Sequence, residues 1–490
     1  MATPLSELIK VRKEKLEKLA SLGVIASAYR FDKTHTIATA RESLDKEVQT
    51  AGRITAFRSH GKLAFADLTD QSGKIQVLFT NLELSEKVYE IVRLLDIGDF
   101  IGVKGIVFTT KAGETTIKAQ ELTFLSKSLR PLPDSWFGLK DKEDRFRNRF
   151  VDLLLNPSAK EILDKRWSTE KAVREFLWNQ QYTEVETPVL QNLYGGTNAR
   201  PFTTHLNALD LDMYLRLAPE LYLKRLIVGG YERVFEIARN FRNEGMDQIH
   251  QPEFTMLEFY ESFADYQRIM DITEELIKFV ANRVNGSLHL KIHDYEVDLA
   301  GKWRRMTVDE ALKEYENIDT QTISQSEITT ILNQNKFTVP GVFTREKALF
   351  NIFDHLVTPK LVQPTWVIDY PRDVSPLAKA HRSKPGRVER FEGYIGGKEI
   401  CDGWSEIVSP IEQRERFETE QKNLKSGDEE AMPLDEEFLE ALEYGCPPLG
   451  GIGIGIDRLV MFLTNTWSIR EVIAFPLMRP VTSLNAPQAQ

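Results

Sequence analysis

Residues 239–260 read RNFRNEGMDQIHQPEFTMLEFY. Arginines end an extended stretch, a polar loop carries a histidine, and phenylalanine, glutamate and tyrosine then return at alternate positions. If 233–242 and 254–260 are antiparallel strands, the two-residue period puts Phe254, Glu258 and Tyr260 on one face. Arg242 sits at the strand end, with Glu244 and His250 in the loop. A guanidinium beside a polar loop and an aromatic plane suits a nucleotide, cation to phosphate and ring against base. A surface hairpin with structural ion pairs uses the same residue types, and the arginine alone does not separate the two.

Two further stretches carry chemistry. In GGIGIGIDRLVMFL (450–463), Gly451, Gly453 and Gly455 alternate with Ile452, Ile454 and Ile456. One strand face is glycine, a floor low enough for a flat ring, and the other is core-packing isoleucine. Asp457 and Arg458 then open a helix. Strand-long alternation differs from the tight GxGxxG turn of a dinucleotide fold. In FEGYIGGKEICDGWSEI (391–407), Gly396-Gly397 makes a tight hairpin. Its register sets Glu399 opposite Tyr394, with Glu392 a diagonal neighbour on the same face. Two such carboxylates need a cation between them, either Mg²⁺ with ATP phosphates or a Lys or Arg from elsewhere. Glu406 lies nearby. In APELYLKRL, Pro219 and Glu220 occupy a helix's first turn, where the glutamate's dipole role is the plain reading.

These residues need elements to position them. LSELIKVRKEKLEKLASLG (5–23) spaces apolar residues at helical intervals with basic residues between, and stops at Gly23. It reads equally as packing on the next domain or as a tRNA contact. From 46 to 126 come short strands with one helix, near SEKVYEIVRLL, between the third and fourth, the order of an OB barrel. Arg58, Lys62, Phe65 and Gln76 fall on the first three strands, where such barrels hold single-stranded nucleic acid. Core packing is the alternative for Phe65. LRPLPDSWFGLKDKEDRFRNRF reads as a hinge. Beyond it, a long amphipathic helix, a short strand ended by Pro188, hairpins and further helices predict an α+β body with an antiparallel sheet.

The composition agrees. The chain has 490 residues, 42% apolar and 28% charged, enough for a large core. The net charge of −10 hides an asymmetry: residues 1–150 hold 25 Lys and Arg against 20 Asp and Glu, the remainder 38 against 53. A basic front suits a polyanion, although charge runs are commonly just solvated faces. No window is apolar enough for a membrane span, and the amino terminus lacks a signal-peptide core. Cys401 and Cys446 are too few for a disulfide scaffold or a four-thiolate zinc site. A cytoplasmic protein without membrane contact is expected.

The chain resembles class II aminoacyl-tRNA synthetases throughout, most closely the lysyl-tRNA synthetases. Three motifs carry the class: the helix and strand ending at Pro188, the Arg242 strand–loop–strand, and GIGIGIDR with Arg458. The lysine-type wording lies in GGTNARPFTTHLNALDLDMYLRLAPELYLKRL, FRNEG, PEFTMLEFY and LEYGCPPLGGIGIGIDR. The resemblance implies a helical extension over 1–45, an OB-fold anticodon-binding domain over 46–130 and a hinge over 131–155. A catalytic domain over 156–480, built on an antiparallel sheet flanked by helices, and a tail over 481–490 complete the expected chain.

It further implies that Arg242 holds the α-phosphate. Phe254 and Arg458 would sandwich adenine, with Glu244, His250 and Glu399 near ATP. Glu392 and Glu399 would hold Mg²⁺. Gly196, Glu220, Glu258, Tyr260 and Glu406 would form the lysine pocket, with Asp402 beside it. Pro188 would belong to a homodimer interface, and Phe65, Gln76 and Arg58 would face the anticodon of tRNA(Lys). One departure stands out: this chain reads EICDGWSE where relatives often carry Asn at the position of Asp402. An anion there would repel the substrate carboxylate unless it turns away, pairs with a cation or is protonated. The rivals are an aspartyl- or asparaginyl-type synthetase, for which Glu258 and Glu406 have no use; a protein-lysylating paralogue, which would lack the barrel; and a non-enzymatic RNA-binding protein, which would not need Arg242, Arg458 and the Glu392/Glu399 pair together.

Overall fold

A computed structural model describes residues 4–25, 27–132, 141–339, 343–427 and 430–480. The chain forms two compact units, 1–140 and 141–490. Part of the stretch read as a hinge (133–140) and the whole tail (481–490) lie outside the described residues.

The first unit begins with helix α1 (Leu5–Ser21) and the short α2 (Ile37–Arg41). Strands β1 (Glu47–His60), β2 (Leu63–Asp70) and β3 (Gly73–Thr80) follow, then α3 (Glu86–Arg93), β4 (Phe100–Thr109) and β5 (Thr115–Ser126). The strands close into a barrel in the order β1-β2-β3-β5-β4, as the strand pattern predicts. Alternation sorts each strand: Ala64, Ala66 and Leu68 point inward, while Phe65 between them is half-buried on the outer face. Core packing is thus not Phe65's role. Arg58 lies directly across from Phe65, and Gln76 across from Asp67. Lys62 sits in the turn before β2 rather than on a strand. Helix α1 packs on this barrel through fully buried Leu19, with Lys15 Nζ 2.6 Å from Asp96.

The second unit is built on one eight-stranded sheet. Its elements include helix α4 (Pro157–Asn179), β6 (Thr183–Glu184), α5 (Glu220–Val228), β7 (Arg233–Phe241), β8 (Glu253–Ser262) and α6 (Tyr266–Asn285). Then come β9 (Arg304–Thr307), β10 (Thr365–Ile368), β11 (Arg390–Ile395), β12 (Lys398–Ser405), β13 (Leu449–Gly455) and α7 (Ile456–Leu463). The strand order is β9-β10-β11-β12-β13-β8-β7-β6, antiparallel except for the outermost pair at each edge. Ile452 and Ile454 of β13, at 2% exposure or less, join Leu257, Phe259 and the buried faces of α4 and α6. Each such side chain contributes about 1.5–3 kcal/mol relative to exposure, which offsets what the glycine-rich opposite face gives up.

Where β13 meets α7, the chain is tied down by a buried ion pair. Arg166 of α4 donates to Asp457 Oδ1 at 2.5 Å and to Thr255 Oγ1 at 2.9 Å, while Asp457 Oδ2 accepts from the Thr255 backbone N–H at 2.7 Å. This knot fixes the start of α7, and with it Arg458, against β8. Breaking one partner leaves an uncompensated buried charge, which costs far more than the intact pair contributes. Arg166→Met is expected to lower stability by about 3–5 kcal/mol, read as a reduced denaturant midpoint in the transition of the second unit.

Candidate active site

One cleft of about 320 Å³ opens over the middle of the large sheet. Gly196, Glu220, Arg242, Glu244, His250, Phe254, Glu258, Tyr260, Glu399, Asp402, Glu406 and Arg458 all line it. The structure therefore brings together every candidate lysine or ATP residue, though Glu392 is not in the lining.

The strands explain the convergence. In β8, Phe254, Met256, Glu258 and Tyr260 alternate toward the cleft, as period-2 geometry requires. Phe254 pairs with Asn240, just before Arg242, so the turn-back brings ring and guanidinium together at 5.0 Å. The Arg242 Nε is buried with no hydrogen-bond partner among the described residues, and burial lowers its pKa. Arg242 also interacts electrostatically with Glu244, Glu258, Glu399 and Arg458. Arg458 reaches Glu399 Oε2 at 3.2 Å, and its Nη2 stands 3.3 Å from His250 Nε2.

The neighbouring part of the cleft is acidic, and its acids are buried. Glu220, Glu258 and Glu406 are each at most 4% exposed. Tyr260 donates to Glu258 Oε2 at 3.1 Å, and Trp404 Nε1 donates to Glu406 Oε2 at 2.8 Å. Burial raises Glu220 and Glu258 and pushes Glu406 up to about 8, while Lys224 opposes the rise in Glu220 and Glu406. Gly451 of β13 pairs with Tyr260, and this is where glycine is required. A Cβ there would lie 2.6 Å from Glu406 Oε1 and closer still to the Tyr260 ring.

The β11–β12 hairpin corrects one expectation. Gly396 and Gly397, at φ +63° and +74°, make the tight turn, and Tyr394 faces Glu399 as predicted. The register then slips: Gly393 faces Cys401, so β12 carries an extra residue and Glu392 comes opposite Asp402. Arg390 fills the space between those two acids. It donates to Asp402 Oδ1 and Oδ2 at 2.8 Å each and to Glu392 Oε1 at 2.7 Å, while Tyr394 holds Glu392 Oε2. Arg390, of the same hairpin, is thus the cation between Glu392 and Asp402, while Glu399 still acts electrostatically on Glu392. Among the described residues, no group of three or more His, Cys, Asp or Glu is placed to hold a metal ion.

Known proteins match this arrangement over nearly its whole length. Residues 141–479 match the family of class II tRNA synthetases (D, K and N), and 48–125 match the OB-fold nucleic acid binding domain. The lysine–tRNA ligase of Thermoanaerobacter sp. (strain X514) is 47% identical over 482 residues, 97% of both chains. Those of Moorella thermoacetica and Carboxydothermus hydrogenoformans are 46% and 47% identical, over 97% of this chain and 98% and 99% of theirs. The chain belongs to the class II lysine–tRNA ligases.

For Asp402, which the resemblance to lysine–tRNA ligases singles out, the structure supplies a partner: Arg390 holds both of its oxygens while also bonding Glu392. Sequence reasoning passed over Arg390, Trp404 and Lys224. Each carried a signal in its spacing, since Arg390 and Trp404 stand two residues before Glu392 and Glu406 on a strand path, and Lys224 stands one helical turn after Glu220. Among the described residues, no helix is long and apolar enough to cross a membrane. The crowding at Gly451 yields a direct test. Gly451→Ala is expected to raise the lysine KM by about ten-fold or more, equivalent to about 1.4 kcal/mol, with a smaller change in the ATP KM, in steady-state ATP–pyrophosphate exchange.

Proposed function

We propose that the protein activates L-lysine with ATP, forming lysyl-adenylate and pyrophosphate, and then passes the lysyl group to the 3′ end of tRNA(Lys). The observation that carries this reading is one cleft holding three buried carboxylates, Glu220, Glu258 and Glu406, beside the guanidinium groups of Arg242 and Arg458. Buried acids in that number call for a cationic ligand, since an ammonium taken from water needs such partners. The arginines suit the phosphates and adenine of ATP.

In the first step an oxygen of the lysine carboxylate attacks the α-phosphorus, the new O–P bond forms, and the bond to the β-phosphate bridging oxygen breaks. Such transfer depends on positioning and charge stabilisation, with no protein nucleophile. Arg242, half-buried with its Nε buried and unpaired among the described residues, would take the α-phosphate charge as it develops. Phe254 and Arg458 would enclose the adenine, with Glu244 and His250 at its margin. Glu406 and Tyr260 would receive the ε-ammonium, Glu220 and Gly196 the α-amine, and Glu258 would complete the pocket wall. Asp402, held by Arg390, would be spared contact with the substrate carboxylate.

Mg²⁺ bound with ATP supplies charge neutralisation on the outer phosphates. Glu399 fits as a ligand, lining the cleft with its side chain 41% exposed and Arg458 the one ion-pair partner of its Oε2 among the described residues. Glu392 fits only if it leaves Arg390 and Tyr394. On the barrel, Phe65, Arg58 and Gln76 share the outer face that would meet the anticodon. A cytoplasmic homodimer is the assembly we favour. Pro188 is exposed beside Val189, Leu190 and Leu193, each more than a third exposed, an apolar run suited to a second copy of the chain.

ATP–pyrophosphate exchange measured with each standard amino acid and ornithine at fixed Mg²⁺ tests the reading. Exchange with lysine alone is expected, and exchange driven by aspartate or asparagine would overturn it. The pH response adds a signed check. Below about 8 a proton on Glu406 competes with the substrate ammonium, so the lysine KM should fall as pH rises through that range.

A further inference from the structure

A buried lysine occupies the acidic pocket from behind. Lys224 lies on α5, one turn after Glu220, and is 1% exposed. Its Nζ donates to Glu220 Oε1 at 2.5 Å and forms an ion pair with Glu406 Oε2, and it stands 5.9 Å from the Tyr260 ring centroid. Trp404 Nε1 holds the same Glu406 oxygen. The other one, Glu406 Oε1, is buried with no hydrogen-bond partner among the described residues, yet Glu406 lines the cleft. A bare buried acceptor is costly unless a ligand completes it.

We propose that Lys224 is a positioning residue for amino-acid selection: its ammonium pins Glu220 and one oxygen of Glu406, so that the second Glu406 oxygen is presented bare to the ligand's side-chain ammonium. This rests on the reading of the cleft as a lysine pocket.

Charge counting supports the assignment. Glu220, Glu258 and Glu406 together carry three negative charges when ionised, and Lys224 returns one. The two that remain equal the two ammonium groups of free lysine, whose carboxylate is left to Arg242. Without Lys224 a third uncompensated acid would be buried, and protonation would relieve it at the expense of ligand binding. The groups facing this cluster come from several elements. Glu258 and Tyr260 stand on β8, Asp402 on β12 and Cys446 before β13; Asp402 acts on Glu220, and Cys446 feels both Lys224 and Glu406. Glu236 of β7 and Arg242 beyond its end act on Glu258, while the cation paired with Glu220 and Glu406 is Lys224.

The test is exchange kinetics on the full chain with Lys224→Met and Lys224→Gln, after the wild type has been shown to exchange with lysine. Failure of the wild-type control would sink the pocket reading, not this inference. Lys224→Met removes both pin and charge. Its lysine KM is expected to rise about ten-fold or more while its ATP KM stays within about two-fold. Lys224→Gln can still donate a hydrogen bond but carries no charge. Its lysine KM should stay closer to wild type but require a higher pH to reach its minimum, because nothing cationic opposes protonation of Glu406. If Lys224→Met does not fold, as melting would show, the pH response of Lys224→Gln decides alone. An unshifted pH response, or lysine and ATP KM rising together, would overturn the proposal.

Discussion

A carboxylate taken out of water must find a cation or take up a proton, and the catalytic unit is arranged around that demand. Its sheet buries several acids in and beside one cleft, and three basic side chains answer them from within the fold. Arg166 meets Asp457 at the root of α7, Arg390 meets Glu392 and Asp402 inside the hairpin, and Lys224 meets Glu220 and Glu406 behind the pocket. Each pairing leaves a different remainder. Asp457 is saturated and serves as an anchor. Asp402 has both oxygens held. Glu406 keeps one buried oxygen without a partner among the described residues, the place left open to a cationic ligand.

The parts legible in the sequence were those governed by local periodicity. Alternation in LEFY put Glu258 and Tyr260 on one face, alternating glycine and isoleucine announced β13, and a Gly-Gly pair marked the hairpin turn. The succession of barrel strands, with one helix between the third and fourth, followed from strand patterns and turn signals. What escaped was set by tertiary position. The slip in the β11–β12 register changes no residue type, so nothing in the spacing showed that Glu392, though on the same face as Glu399, would come opposite Asp402 and be held by Arg390. The spacing of Lys224 one turn after Glu220 hinted at their pairing, but nothing in LYLKRL tells a buried ammonium from a solvated one.

The departure at position 402 shows how a substitution that looks hostile on paper is absorbed. The resemblance led to asparagine as the expectation there, and an aspartate adds an acid to a cleft already lined by Glu220, Glu258, Glu399 and Glu406. The neighbouring strand already projects Arg390 with bidentate geometry, and a guanidinium is the side chain best shaped to hold two carboxylate oxygens at once. The same arginine also restrains Glu392, so the one substitution ties the two acids to a shared partner.

The extra residue in β12 carries a consequence of its own. On an unbroken strand, side chains three positions apart point to opposite sides, yet Glu399 and Asp402 both face the cleft. The slip is a change of phase: Glu399 faces the cleft from an odd-numbered position before it, Asp402 and Trp404 from even-numbered ones after it. A single strand thereby lines two parts of the cleft, and their spacing is written in a count of residues rather than in any one side chain. Deleting a residue there, an alteration most surface loops absorb, would turn half the strand's side chains away from the chemistry.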